Sequence, residues 1–319
     1  MRNLKRCQAP FSYTAANADR VQRLSFFFFL FPFLFALCSL GCSSPPKRAE
    51  EIFIDRNTAA KQLNLANHNV SRGNYEDALI ILEDAWRLVL GTDDPSLRIK
   101  TAISRGSILF SLGRHDEAFR VWESASIEGD ASNEKVLAAQ ARIYAIRARL
   151  VLLSTGNAEE PKSGREADAA AEELKAQLLR ELTVVRSDPP STAAGYVTLG
   201  MAEKQLRRWA DAESAVMRAL AIHEKNRFLE DAAYDWFVIA SIRSVAGNYD
   251  AALEALRTAI RFDRRAENGY GLASSWQAMG DVYQKAGRHE ESQAAYRRAA
   301  EIFRAINLND RAEKLTVKQ

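Results

Sequence analysis

The chain has 319 residues, 47% of them apolar and 27% charged, the ordinary balance of a folded soluble protein. Its net charge of +3 belongs to the first 41 residues, where Arg2, Lys5, Arg6, Arg20 and Arg23 face Asp19 alone; beyond them 39 basic residues meet 40 acidic ones. A neutral body without a basic stripe argues against a nucleic-acid partner. Cys7, Cys38 and Cys42 are the only cysteines, so the chain from Ser43 onward offers no disulfide, thiolate nucleophile or cysteine metal ligand. His68, His115, His223 and His289 are scattered, with no pair at metal-binding spacing.

The first element is an uncharged apolar run of 14 residues, Leu24 to Leu37, preceded by Arg20 and Arg23 and followed by small residues. This order describes a secretory signal peptide, and the run is shorter than the roughly 20 apolar residues of a bilayer-spanning helix. Its end, Ser39-Leu40-Gly41-Cys42, resembles a bacterial lipobox in which Cys42 is diacylated, although Ser39 stands where leucine is usual. Cleavage then removes residues 1–41, and 42–58 form the lipidated cysteine and a flexible tether. The resemblance implies a protein lipid-anchored in the bacterial cell envelope. Absence of Asp after Cys42 favours the outer membrane and a periplasmic orientation.

From residue 59 the chain repeats, and few glycines and prolines (15 and 8) leave it rich in helix formers. The first unit carries Ala66, Gly73, Tyr75, Ala78, Leu82 and Ala85; the second carries Gly106, Leu109, Gly113, Ala118, Trp122 and Ala125. Gly73 and Gly113 are 40 apart, whereas Gly113 and Arg207 are 94 apart, leaving room for one degenerate unit with 14 extra residues. Its helices are expected over 134–153 and 166–185, with the excess in 154–165 and 187–192. Three clear units follow, through Tyr196, Gly200, Trp209 and Ala212, then Trp236, Ala240, Gly247, Tyr249 and Ala252, then Trp276, Met279, Gly280, Tyr283, Gly287 and Tyr296. Small residues such as Gly280 let paired helices approach, and Gly247 and Gly287 suit a left-handed turn.

This pattern resembles the tetratricopeptide repeat, W-x2-L-G-x2-Y followed by spaced alanines. The resemblance implies an all-α fold, a right-handed superhelical solenoid of antiparallel helix pairs. Three repeats over 59–188, the third degenerate with an inserted loop, precede three over 189–306. Residues 307–319 are a capping helix (309–317) and tail. The 40-residue period exceeds the usual 34, so helices lengthened by about a turn are expected, with extra residues in runs such as 260–275.

By analogy with the family, a concave groove is lined by Asn67, Val70, Ser107, Phe110, Met201, Gln205, Tyr234, Phe237, Ser241, Gln277, Asp281 and Gln284, a mixture of amide, hydroxyl and aromatic groups. The carboxylate clamp of chaperone-binding members is not met: Asn67 fits one position, but Leu63 and Ser104 occupy two others. His115 and His289 follow turn glycines, where Tyr75 and Tyr249 stand in sister units, and read as packing residues. His68 and His223 show no partner, and Arg261-Phe262-Asp263-Arg264-Arg265 reads as a solvated face. No phosphate loop, catalytic carboxylate pair or metal cluster is present in the pattern, so no enzyme, cofactor or metal is expected. The expectation is a membrane-tethered adaptor that holds other envelope proteins or peptides in its groove. The alternative is a carrier of a small or hydrophobic ligand serving a transporter.

Overall fold

The computed structural model describes residues 53–155 and 164–316, which hold thirteen α-helices, one short 3-10 turn and no strand. The apolar leader, Cys42 and residues 156–163 lie outside the described residues. Helices A and B alternate along the chain. The first three pairs are α1 (Ile54–Ser71) with α2 (Tyr75–Thr92), α3 (Pro95–Ser111) with α4 (His115–Ala131), and α5 (Lys135–Thr155) with α6 (Gly164–Val184). After the turn Val185–Ser187 come α7 (Pro189–Gln205) with α8 (Trp209–Asn226), α9 (Leu229–Val245) with α10 (Tyr249–Ala266), and α11 (Gly269–Lys285) with α12 (His289–Ala305). The last helix, α13 (Asn309–Thr316), covers the end of the array.

Corners between helices are short because one left-handed residue reverses the chain. Gly113 and Gly287 supply it after α3 and α11, with φ of +77° and +73°, while Arg207 does so after α7 at +60°. The following N–H then reaches a carbonyl five residues back, as in Arg288 N to Tyr283 O at 2.9 Å, which closes the helix end. Returns from B to A use Asp93, Asn133, Arg227, Glu267 and Asn307 in the same conformation. Side-chain caps sit on helices A: Asp94, Asp188 and Asn268 accept from Leu97, Ser191 and Gly271 N–H groups.

The degenerate unit departs from expectation in how it places its extra residues. Helices α5 and α6 have 21 residues each, so part of the excess is helix. The stretch 187–192 is no loop: Asp188 caps α7, and Pro189 and Pro190 form its first turn, where a missing N–H is harmless. The run 260–275 is likewise helical except for Glu267 and Asn268.

Packing follows the alanine spacing. Ala78, Ala118, Ala212 and Ala252, each three residues into its helix B, are fully buried, so helix B can lie close against helix A. A Cβ on Gly280 would stand 2.5 Å from the Tyr296 ring, and one on Gly106 would stand equally close to the Trp122 indole. Larger side chains, among them Ile239, Leu253, Leu256 and Phe303, fill the space between pairs.

Two polar contacts between one helix B and the next helix A correct the reading of the sequence. His223 has a partner: its Nδ1 lies 2.6 Å from Asp235 Oδ2, both buried. Burial pushes the Asp235 carboxyl up, and the His223 bond opposes that shift. One period later Asp263, inside the supposedly solvated run, is 2% exposed and accepts from Asn268 Nδ2 at 2.8 Å. Burial raises its carboxyl to about 7 against the pull of the Asn268 bond.

Candidate functional site

The inner surface is set by a closure between distant repeats. Tyr75, first residue of α2, packs edge-on against Tyr270 of α11 with ring centroids 5.9 Å apart at 84°. Ser71 Oγ, at the end of α1, donates to Glu230 Oε2 of α9 at 3.0 Å. Gly73 lies between them, and a Cβ there would be 2.6 Å from Leu308 and 2.8 Å from Tyr270. The Arg311 guanidinium covers the Tyr270 ring at 5.1 Å. Burial, followed by the neighbouring Tyr270 phenol, pushes the Tyr75 hydroxyl well above its usual range. The first pair thus touches the fifth, the sixth and the cap, so the solenoid closes on itself.

Behind this seam is a cavity of about 490 Å³ whose walls include Asn67, Val70, Ser107, Tyr144, Tyr234 and Tyr270. Tyr234 and Phe237 are stacked one helical turn apart on α9, with centroids 6.4 Å apart and rings within 14° of parallel. Tyr234 keeps 42% of its surface open, yet burial raises its phenol. Both facts fit a ring that faces an enclosed space rather than open water. Opposite it, Arg147 of α5 donates to Thr198 Oγ1 at 3.0 Å and the Ala194 carbonyl at 2.7 Å, and lies 5.3 Å over the Tyr144 ring.

Toward the other end of the helices A, Lys204 Nζ donates to Ser241 Oγ at 2.7 Å. Burial, and after it the charge of Lys285, lowers the Lys204 ammonium. Lys204, Met201, Gln205 and Val245 line a second cavity of about 500 Å³. Arg147 and Lys204 donate to neutral oxygens and form no ion pair within 4 Å among the described residues, while Arg147 lies near enough to Asp235 to draw its carboxyl down.

The structure gathers many of the expected groove residues and separates others. Asn67, Val70, Ser107 and Tyr234 share the seam cavity, Met201 and Gln205 share the second, and Ser241 meets Lys204 between repeats. Phe110 turns toward its own helix B, with its ring 4.8 Å from His115 and 6.2 Å from Trp122. Asp281 and Gln284 receive the Tyr296 hydroxyl at 2.6 and 3.1 Å. Gln277 is half-buried on α11. Cys42 lies outside the described residues. Of the two histidines read as packing groups, His115 stacks on Phe110, whereas His289 is exposed.

Tyr144, Arg147 and Lys204 were not among the expected lining. Tyr144 and Arg147 belong to the degenerate unit, where no consensus residue fixed the helix rotation. Lys204 falls between Met201 and Gln205 and could have been taken with them. Chemically the wall offers planar rings for stacking, two cations bonded to neutral oxygens and several hydroxyl groups. Among the described residues no three His, Cys, Asp or Glu side chains gather as a metal site. No described helix is long and apolar enough to cross a membrane.

Residues 230–305 match the tetratricopeptide repeat family. The fold is similar to that of a Rap protein solved in complex with competence and sporulation factor, at 14% identity and a TM-score of 0.56, over 82% of this chain and 73% of that one. It is also similar to PilW, a type IV pilus biogenesis factor, at 15% identity and a TM-score of 0.44, over 81% and 98% of the two chains. No curated protein sequence matches this chain.

Proposed function

Because the described chain is a tetratricopeptide-repeat solenoid, we propose that it is an adaptor whose inner wall holds a polypeptide segment of an envelope protein, with Cys42 tethering it to a membrane. The observation that carries the reading is the pairing of the Tyr234–Phe237 stack with Arg147 and Lys204, neither of which forms an ion pair within 4 Å among the described residues. Aromatic and arginine side chains in a concave surface are common anchors of protein interfaces. The similar Rap protein was solved with a bound factor, which agrees with a groove of this fold serving as a binding surface. Lipidation of Cys42 rests on the apolar leader and on Gly41 before it.

Two measurements test the proposal. Cross-linking in intact cells followed by affinity capture should recover a protein partner with the native chain. Phe237→Ala with Tyr234→Ala should lose most of that partner while keeping the fold. Cys42→Ala should move the protein to the soluble fraction and remove fatty-acid labelling, because multiple acyl chains hold where one does not. A Cys42→Ala chain that stays wholly membrane-bound would sink the anchor. A purified chain that retains a small molecule and captures no protein would replace the adaptor with a ligand carrier.

A further inference from the structure

The seam cavity is walled by helices A that are far apart in sequence: Asn67 on α1, Ser104 on α3, Tyr144 on α5, and Glu230, Asp231 and Tyr234 on α9. It measures about 490 Å³, within the roughly 300–1,000 Å³ of small-ligand sites. It exists because the array closes, α1 and α9 meeting at the Ser71–Glu230 bond. Its chemistry argues against a charged occupant of either sign. Among its described lining residues there is no Lys, Arg or His to hold an anion, while Glu230 and Asp231 repel one. An organic cation needs bare ring faces, yet Arg147 lies over Tyr144 at 5.3 Å and Arg311 over Tyr270 at 5.1 Å. What is left is a set of groups that together give and accept hydrogen bonds. The Asn67 amide, the Ser104 hydroxyl, the Asp231 carboxylate and the Tyr144 and Tyr234 hydroxyls make no hydrogen bond among the described residues. Tyr234 stacks on Phe237 with one side of its ring and leaves 42% of its surface to the space.

We infer that the seam cavity binds a neutral saccharide, a mono- or disaccharide whose pyranose ring lies on Tyr234 and whose hydroxyls are shared among Asn67, Ser104 and Asp231. Each sugar hydroxyl donates one proton and accepts through its oxygen. That is the complement of a wall made of an acceptor-only carboxylate, an amide with both capacities and hydroxyls with both. An O–H donated to the ionised Asp231 is stronger than a bond between neutral groups. The C–H bonds on one face of a pyranose form an apolar, slightly positive surface, which suits the negative face of an aromatic ring. A ligand held in this way touches α1, α3, α5 and α9 together, so its binding stabilises the closed ring over any opened form. The site shares Tyr234 with the wall assigned to a polypeptide segment but uses neither Arg147 nor Lys204, so it stands whether or not that role holds.

Saturation-transfer NMR on the purified full chain tests the site. The probes are glucose, mannose, galactose, N-acetylglucosamine, maltose and cellobiose, with tetramethylammonium, putrescine and inorganic phosphate as charged counterparts. At least one sugar should receive saturation, strongest on the protons of one ring face, and should raise the melting temperature. Asn67→Ala and Asp231→Ala, both at exposed positions, should each weaken it about tenfold while the unliganded chain melts as before, the loss expected for one hydrogen bond to a sugar. Tyr234→Phe should retain most of the binding and Tyr234→Leu should lose it. Gly73→Ala, which displaces Leu308 and the Tyr270 ring at the seam, should weaken it as well. Binding that none of Asn67→Ala, Asp231→Ala and Gly73→Ala alters puts the sugar elsewhere and overturns the assignment. Binding of a charged probe and no sugar overturns it in favour of a charged ligand, and no binding of any probe overturns it outright. None of these readouts involves a protein partner, so partner capture tests the adaptor role separately.

Discussion

At Gly73 and at Gly247 the chain makes the same turn from helix A to helix B, with φ of +77° and +84°. A Cβ on Gly247 would nevertheless meet nothing within 4 Å, whereas one on Gly73 would collide with Leu308 and Tyr270. The later repeats are held by their neighbours in sequence, as in any solenoid, where each unit contacts only the next. The first repeat is held twice, once by its neighbour and once by the far end of the array. A closed array loses the independence of its units. Contacts on the seam therefore stabilise the ring without contributing to any single repeat, and contacts between paired helices do the reverse.

Contacts inside one pair should give the largest losses and spare the seam. Trp122 is 2% exposed and its Nε1 donates to the Ile103 carbonyl at 3.1 Å. Trp122→Ala should cost about 3–5 kcal/mol by denaturant unfolding, since it leaves a cavity where the indole was. Gly280→Leu comes next. Its first added carbon would be 2.5 Å from the Tyr296 ring, and overpacking of this kind costs about 1–3 kcal/mol. Unchanged melting of Gly280→Leu would mean that α11 and α12 do not meet there.

These two sites show what sequence makes legible. The pattern of small and aromatic residues forty apart locates Gly280 beside helix B and Trp122 in the core because both contacts are local and recur in every unit. The seam does not recur. It depends on the small rotation between successive pairs summed over the whole array, including α5 and α6, whose lengthening no consensus residue announces. Tyr75 therefore reads as an ordinary consensus aromatic and Tyr270 as a residue between motifs. The same blindness hid Arg147, which reaches Thr198 across the degenerate unit. It also hid His223 and Asp263, whose partners lie on the next helix A rather than in their own repeat. The turn glycines, the alanine spacing and half of the lining were readable; the closure was not.

A matched pair of substitutions isolates the seam. Gly73→Ala and Gly247→Ala should each lose about 1–2 kcal/mol, the cost of a side chain in the left-handed region. Only Gly73→Ala should lose more, because its methyl also displaces Leu308 and the Tyr270 ring. Small-angle scattering should show an expanded radius for Gly73→Ala and none for Gly247→Ala. Equal stability loss with unchanged scattering in both would show that the closure contributes little to the ring.

The smallest effect concerns a buried acid one residue position from being neutral. Asp263 is 2% exposed, and burial lifts its carboxyl from the ordinary 3.8 to about 7. Between those two values the unfolded chain has released the proton while the folded one keeps it. Stability attributable to this group therefore falls as pH rises from about 4 to 7 and levels off above. Asp263→Asn keeps an oxygen to accept from Asn268 Nδ2, now at 2.8 Å, and removes the charge that burial penalises. The variant should match the native chain near pH 4 and melt roughly 2–4 °C higher at pH 8. The His223–Asp235 pair, at the same place one repeat earlier, also holds a carboxyl that burial raises against an opposing bond, so Asp235→Asn should shift melting at pH 8 in the same direction. If Asp263→Asn melts lower than the native chain at pH 8, the ionised carboxylate is bonded well enough to outweigh its burial.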